Sequence, residues 1–356
     1  MINNDCINQI KEYIKEKNID GVYITNQTNL KYILGKEMAD RIYINLDKTY
    51  IMVGSIYLEE AKKLVADDCE IVNISDKSSK EILTNMLYEK NIGIEFNDIT
   101  VLHERKLLNE YKVKKIIDIQ NIVEKIRQMK YNYELSNIKK ACEITAKSFE
   151  HILQYIKVGQ TERQIRNELN RYMFELGAED LAFDTIVASG SNSSNPHAVV
   201  TDRVIQQNDI ILFDFGARYN GYCSDMSRTI FVGEPNEEMI NTYNIVLKAQ
   251  KLGIDNIKTG VNVGHIHELI VNEFKKDNLE KFFIHTTGHG VGMDIHESPV
   301  IVDSNKEESF KKDMVVTVEP GIYFENKFGI RIEDTVIVTE EGTQILTQCN
   351  KEMIII

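Results

Sequence analysis

Five cysteines in 356 residues (Cys6, Cys69, Cys142, Cys223 and Cys349) are too scattered for a disulfide framework, are odd in number, and never form the C-x-x-C pair of a thiolate zinc site. Free thiols are expected. No apolar run approaches the roughly 20 residues that span a bilayer, and the opening MINNDCINQIKEYIKEK reads as an amphipathic charged helix rather than a signal peptide. A cytoplasmic chain with no membrane partner is expected. Basic residues are outnumbered, 42 Lys and Arg against 55 Asp and Glu, and the formal net charge of −13 works against gripping a phosphate backbone. No nucleic-acid partner is expected. With 19 glycines and 4 prolines there is no low-complexity linker either.

What is present is ordinary globular usage, 42% hydrophobic and 27% charged, in a length that suits two domains. Through residues 1–127, β-rich runs (GVYIT at 21, RIYINL at 41, TYIMVG at 49, EIVNIS at 70, NIGIEF at 91, KIIDIQ at 115) alternate with helical patterns such as SIYLEEAKKLVA and SKEILTNMLYEK. That is an α/β domain. Near QMKYNYE, at 128, the pattern changes to two long helices, roughly 133–157 and 161–177, which puts the boundary there and leaves 128–356 as the second domain.

The second domain carries a weak internal repeat. KVGQTERQI, from Lys157, matches KTGVNVGHI, from Lys258; downstream, DFG at 214–216 corresponds to EPG at 319–321, and Asp225 to Glu333. Each half reads helix, helix, then an antiparallel hairpin bearing two acids. In the first hairpin Asn220-Gly221 suits a two-residue turn, which sets Gly216 opposite Asp225 and Asp214 opposite Ser227. Alternation along a strand then puts both aspartates on one face, with space opposite Asp225 because Gly216 has no side chain. Acids on a single hairpin could simply be solvated. Two matched hairpins bring four carboxylates together, and buried like charges that close need protons or cations, a demand that a pair of divalent ions balances.

IHTTGHGVGMDIHESP adds His285, His289 and His296 among glycines expected to hold a loop close to a metal. A phosphate cradle is disfavoured, because the G-x-G-x-x-G spacing and a P-loop lysine are both missing. HIHELIV lacks the second histidine of a zincin helix, so His265 and His267 read as solvated; His103 and His151 read as structural.

Together, Asp214 and Asp225 in DFGARYNGYCSD, His289 in GHGVG, Glu319 in TVEPGIY and Glu333 in GIRIED resemble the pita-bread dinuclear metallopeptidases, in the proline-specific branch of Xaa-Pro dipeptidase (prolidase) and aminopeptidase P. The resemblance implies an α/β (α+β) fold: a creatinase-like N-terminal α/β domain over 1–127, then a pita-bread catalytic domain over 128–356 with internal pseudo-twofold duplication. It implies two divalent metals per subunit, bridged by Asp225 and Glu333, with Asp214 chelating one and His289 and Glu319 completing the other. Oxygen ligands with one imidazole make manganese the first expectation, with cobalt, zinc or iron as alternatives.

Also by resemblance, His197, His296 and Arg331 hold the substrate and the developing oxyanion, with His285 and Tyr323 beside them. Glu319 is expected to move the proton, and Arg331 to anchor a substrate carboxylate in a bidentate fork. The partners implied are short proline-containing peptides, and the assembly a homodimer. Xaa-Pro dipeptidase is the first expectation, with aminopeptidase P on longer peptides as the alternative. A creatinase-like C–N hydrolase or a non-catalytic relative would be expected to lose ligands that this chain keeps.

Overall fold

A computed structural model describes residues 2–64, 68–119 and 122–356. The chain divides into two compact units, Met1–Arg127 and Gln128–Ile356. Val65 and Ala66, which close the helical pattern from Ser55, and Gln120, which closes the run from Lys115, lie outside the described residues.

In the first unit all six β-rich runs become strands of one sheet, in the order Cys69–Asn73, Thr49–Val53, Arg41–Ile44, Gly21–Ile24, Asn91–Ile94, Lys115–Asp118. The three strands between 21 and 53 pair antiparallel, and the flanking pairs are parallel. Val22, Tyr23, Ile24, Ile42, Tyr43 and Ile44 are all buried, so the central strands are covered on both faces. His103 is indeed held structurally, 3.1 Å from Tyr23 Oη and 3.2 Å from Arg41 Nη1, and burial pushes its pKa down to about 4.

The second unit runs twice through the same succession. Helices Asn132–Tyr155 and Glu162–Glu175 precede a long antiparallel ribbon made of strands Asp209–Phe215, Ala217–Tyr219, Tyr222–Cys223 and Met226–Val232. Helices Glu237–Asn256 and Val263–Lys275 precede a second ribbon, Val315–Val318, Gly321–Phe324, Phe328–Arg331 and Asp334–Val338. Thr161 and Asn262, at matching places in the repeat, cap the second helix of each pair through their side chains.

Each helix pair buries one face of a ribbon. Phe149, Ile152, Ile165 and Leu169 pack with Ile211, Phe213, Phe215, Met226 and Ile230 of the first ribbon. Val246, Ile266, Ile270 and Phe274 pack with Val316, Val318, Ile330 and Ile332 of the second. Since side chains alternate, the residues between these, Asp214, Asp225, Ser227, Glu319, Arg331 and Glu333, must project from the other faces. Those faces meet: Thr229 Oγ1 donates to Arg331 O at 3.0 Å and Glu333 N to Ser227 O at 3.1 Å.

The register of the first ribbon is the expected one, with Tyr219 opposite Tyr222 and Asp214 opposite Ser227. Gly216, however, leaves no space for a ligand. A Cβ there would lie 1.9 Å from the Ser224 carbonyl, so glycine serves a close backbone approach. The glycines around His289 likewise form a strand, Gly288–Gly290, rather than a loop. That strand is squeezed between Glu297–Ile301 and Val315–Val318, and a Cβ on Gly288 would sit 2.1 Å from Thr317 O. His265 is exposed as expected, but His267 is not solvated: its Nδ1 lies 2.9 Å from Thr287 Oγ1 and its ring stacks on Phe283. The five cysteines are free thiols, and among the described residues no helix is long and apolar enough to cross a membrane.

Candidate metal centre

Where the ribbon faces meet, ladder pairing pauses in both ribbons, at Gly216 and Asp225 in the first and at Glu319 and Glu333 in the second. The pauses free carboxylates from a continuous sheet without turning them to solvent. Asp225, His289 and Glu333 each offer one ligand atom, all within 4.8 Å of one another. His289 Nε2 stands 3.5 Å from Asp225 Oδ2 and 3.5 Å from Glu319 Oε1. Asp214 completes the acidic wall and, with the other four residues, lines a cavity of about 790 Å³.

The tautomer of His289 follows from its neighbours. Nδ1 lies 3.0 Å from the Gly290 carbonyl, which can only accept, so Nδ1 carries the hydrogen and Nε2 turns a lone pair toward the acids. Burial pushes this imidazole down to about 4, which keeps it neutral. The acids move the other way. Burial first, and then mutual repulsion, pushes Asp225 and Glu333 well above the carboxylate range; burial, relieved in part by Arg331, takes Glu319 up to about 8. Asp214 Oδ1, Asp225 Oδ1 and Glu333 Oε1 are buried with no hydrogen-bond partner. Orphaned acceptors beside a neutral imidazole lone pair fit hard or borderline divalent cations, and the residues present therefore suit the metal group.

Arg331 is almost fully buried, and its fork is already occupied. Nη2 bonds Asp214 Oδ2 at 2.6 Å, Nε bonds Ser227 Oγ at 2.7 Å, and Nη1 bonds Tyr323 Oη at 2.7 Å and Pro196 O at 3.3 Å. A bidentate grip on a substrate carboxylate is thus not on offer, contrary to expectation. Ser227 passes the contact on, donating to Glu333 Oε2 at 2.7 Å. Tyr323 does not line the cavity; it is buried behind Arg331, with its hydroxyl 3.0 Å from His285 Nε2. His285 lines the cavity, yet Nδ1 donates to Thr286 O at 2.7 Å, so both ring nitrogens are taken and only its ring faces the space. Burial and the nearby Arg331 charge push His285 down to about 4.

His197 and His296 are exposed at the cavity edge, the latter with its ring edge-on to His289 at 4.3 Å. Burial of its inner side lowers the pKa of His296. The wall also contains residues that no motif marks: Arg163, Arg166, Phe183, Asp184, Thr185 and Ile186. Ser227 had a sequence signal, since it alternates with Asp225; Arg163 and Arg166 had none, lying on the polar side of an amphipathic helix.

Comparison with known proteins places this geometry. Residues 136–340 match the model of metallopeptidase family M24, and residues 7–129 match that of the creatinase/prolidase N-terminal domain. The chain is 34% identical to an Xaa-Pro dipeptidase of Pyrococcus furiosus over 98% of its own length and 99% of the relative's. Among solved structures, an Xaa-Pro dipeptidase from Bacillus anthracis superposes with a TM-score of 0.93 at 35% identity, covering 99% of both chains. An X-Pro aminopeptidase from Thermotoga maritima superposes with a TM-score of 0.85 at 32% identity, covering 95% of this chain and 98% of the other.

Proposed function

Because the chain belongs to metallopeptidase family M24, and so to the metal-dependent hydrolases, we propose that its centre holds two divalent cations and cleaves Xaa-Pro bonds in short peptides, as an Xaa-Pro dipeptidase does. The observation that carries the reading is the set of three buried, partnerless carboxylate oxygens on Asp214, Asp225 and Glu333, facing the Nε2 lone pair of His289. In this reading Asp214, Asp225, His289, Glu319 and Glu333 would together hold the ions. Manganese is the first choice of ion, with cobalt, zinc or iron as alternatives. Ions held there would acidify a water molecule and polarise the scissile carbonyl.

The chain's own residues do the rest. Glu319, which lines the cavity 3.5 Å from His289 Nε2, takes the proton from the attacking water and delivers it to the departing proline nitrogen. His296 and His197, at the edge, donate to the oxygen on which charge develops. Arg331 acts one step back, fixing Asp214 through Nη2 and Glu333 through Ser227. Phe183, Ile186, Ile295 and Val300 line the same cavity and supply apolar surface for a pyrrolidine ring. An Xaa-Pro bond lacks the N–H that strand-like substrate alignment uses, and a closed acidic centre does not depend on it. Free thiols suit a reducing compartment, so we place the enzyme in the cytoplasm, and a homodimer is part of the same reading.

A second reading, cleavage of the first residue from longer Xaa-Pro peptides, is favoured by the similarity to the Thermotoga aminopeptidase. The experiment that tests both is hydrolysis of an Xaa-Pro dipeptide and an Xaa-Pro-Yaa tripeptide by chelator-stripped protein, with and without manganese. Metal-dependent release of proline from the dipeptide is expected. Preference for the tripeptide would select the second reading, and inertness of fully metallated protein toward both would refute the first and the second together.

A further inference from the structure

Resting on the reading of the site as an Xaa-Pro dipeptidase, we infer that Arg166 receives the free carboxylate at the C-terminal end of the substrate. In an Xaa-Pro dipeptide that carboxylate sits on the residue that is released, so it must enter the cavity with the scissile bond. The cations balance Asp214, Asp225, Glu319 and Glu333 in that reading, but Asp184 also lines the wall, and a carboxylate taken out of water beside it calls for a cation of its own. Three arginines are the permanently charged cations of the wall, Arg163, Arg166 and Arg331.

Two of the three are already engaged. Arg331 bonds Asp214, Ser227, Tyr323 and Pro196. Arg163 holds Asp202 through Nε at 2.7 Å and Nη2 at 3.3 Å. Arg166, one helical turn further along Glu162–Glu175, is half-buried and forms no ion pair with any described residue. Its hydrogen bonds go only to the side-chain oxygen of the adjacent Asn167, from Nε at 3.0 Å and from Nη2 at 2.8 Å. A neutral amide is a weak competitor for a guanidinium, and Nε with Nη2 forms the edge that pairs with a carboxylate in two parallel bonds.

A second observation points to the same wall. The helix bearing Arg166 packs against strand Ile186–Ser189, and the residue leading into that strand, Thr185, is buried with a hydroxyl that has no partner. Phe183, two residues earlier, also lines the cavity. An apolar ring carrying a carboxylate is the chemistry that Phe183, Thr185 and Arg166 together complement. Arg166 is thus a specificity residue that favours a free carboxylate over a continued chain.

The test uses metallated full-length protein and two substrates of equal size, an Xaa-Pro dipeptide and its C-terminal carboxamide. Wild type should favour the acid. Arg166→Ala should raise KM for the acid about tenfold, leave kcat within about twofold, and leave KM for the amide unchanged. Arg166→Lys, which keeps the charge but not the fork, should fall between. Inhibition by L-proline but not by L-prolinamide should weaken in parallel, a readout that does not depend on turnover of either peptide. An equal rise in KM for acid and amide, or an unchanged KM for the acid, would overturn the assignment to Arg166 while leaving the peptidase reading intact. Wild-type protein inert toward both substrates would instead remove the peptidase reading and this inference with it.

Discussion

Two arginine–aspartate pairs join the same two ribbons, and they differ in how completely they are closed. Arg228 of the first ribbon reaches Asp334 of the second at 2.7 Å, and Arg331 of the second reaches Asp214 of the first at 2.6 Å. Around Asp334 every acceptor is taken, by Arg228, Thr347 at 2.9 Å, Gln250 at 2.9 Å and Lys351 at 2.7 Å. Around Asp214, Oδ1 has no partner, and neither do Asp225 Oδ1 and Glu333 Oε1. Burial raises the proton affinity of Asp334, but Arg228 and Lys351 more than offset it, so Asp334 titrates below its ordinary range; Asp225, Glu319 and Glu333 are pushed above theirs. The same chemical pair is a clasp where the protein supplies all the partners and a reactive centre where it withholds them.

The sharpest way to break this contrast is to remove an acid from the open side. Asp225→Asn should lower kcat/KM for an Xaa-Pro dipeptide on the order of 10³-fold, because an amide is a poor ligand in a site built on carboxylate charge. Its melting temperature without metal should not fall, since one of several repelling carboxylates is gone. On the closed side the expectation reverses. Arg228→Met should cost about 3 kcal/mol of stability, the low end for a broken buried pair because Lys351, Gln250 and Thr347 still hold Asp334. Denaturant titration measures this. Equal losses of stability in the two variants would erase the distinction.

Acidity separates the two sides further. In metal-free protein Asp225, Glu319 and Glu333 bind protons more tightly folded than unfolded, so stability from this cluster is greatest at low pH and is lost as pH rises through their raised folded values, about 8 for Glu319. Asp334 contributes in the opposite sense, its stabilisation being present above the ordinary Asp value and lost as pH falls through its lower folded one. Melting temperature against pH in chelator should therefore decline toward pH 8. Manganese at a hundred times its Kd should restore about 2.7 kcal/mol there. A flat profile without metal would mean that burial and mutual repulsion do not hold these carboxylates above their ordinary range.

Much of this contrast can be traced to the sequence. The six strands of the first unit are legible because β-branched and aromatic residues cluster between turn signals, and the inner faces of the ribbons because apolar residues alternate with acids along them. The register at Asn220-Gly221 follows from turn chemistry. Long-range pairing is not local information: nothing near Arg331 in the chain announces that Asp214, Ser227 and Pro196 will fill its fork, so it reads as free for substrate. Gly216 and Gly288 reveal that something comes close but not what, and the answer in both is a carbonyl rather than a ligand. Arg166 carries no motif because a cation on a helix surface is ordinary until a cavity is seen beside it.

The smallest effect should come from the residue that stands between the two kinds of environment. Tyr323 accepts from Arg331 and donates to His285, behind the cavity wall, and burial raises its pKa to about 12. Tyr323→Phe removes both hydrogen bonds and keeps the ring, which packs edge-on against His285 at 5.5 Å. Arg331 still has Asp214, Ser227 and Pro196, so the fork keeps its aim, and His285 lies next to a cavity from which water can replace the hydroxyl. Stability should therefore fall by about 1 kcal/mol and kcat/KM by only a few-fold, with KM hardly moved. A fall in kcat approaching that of Asp225→Asn would place the Tyr323 hydroxyl among the groups that meet the substrate, and the open side of the ribbon contact would then extend one layer deeper than the cavity wall.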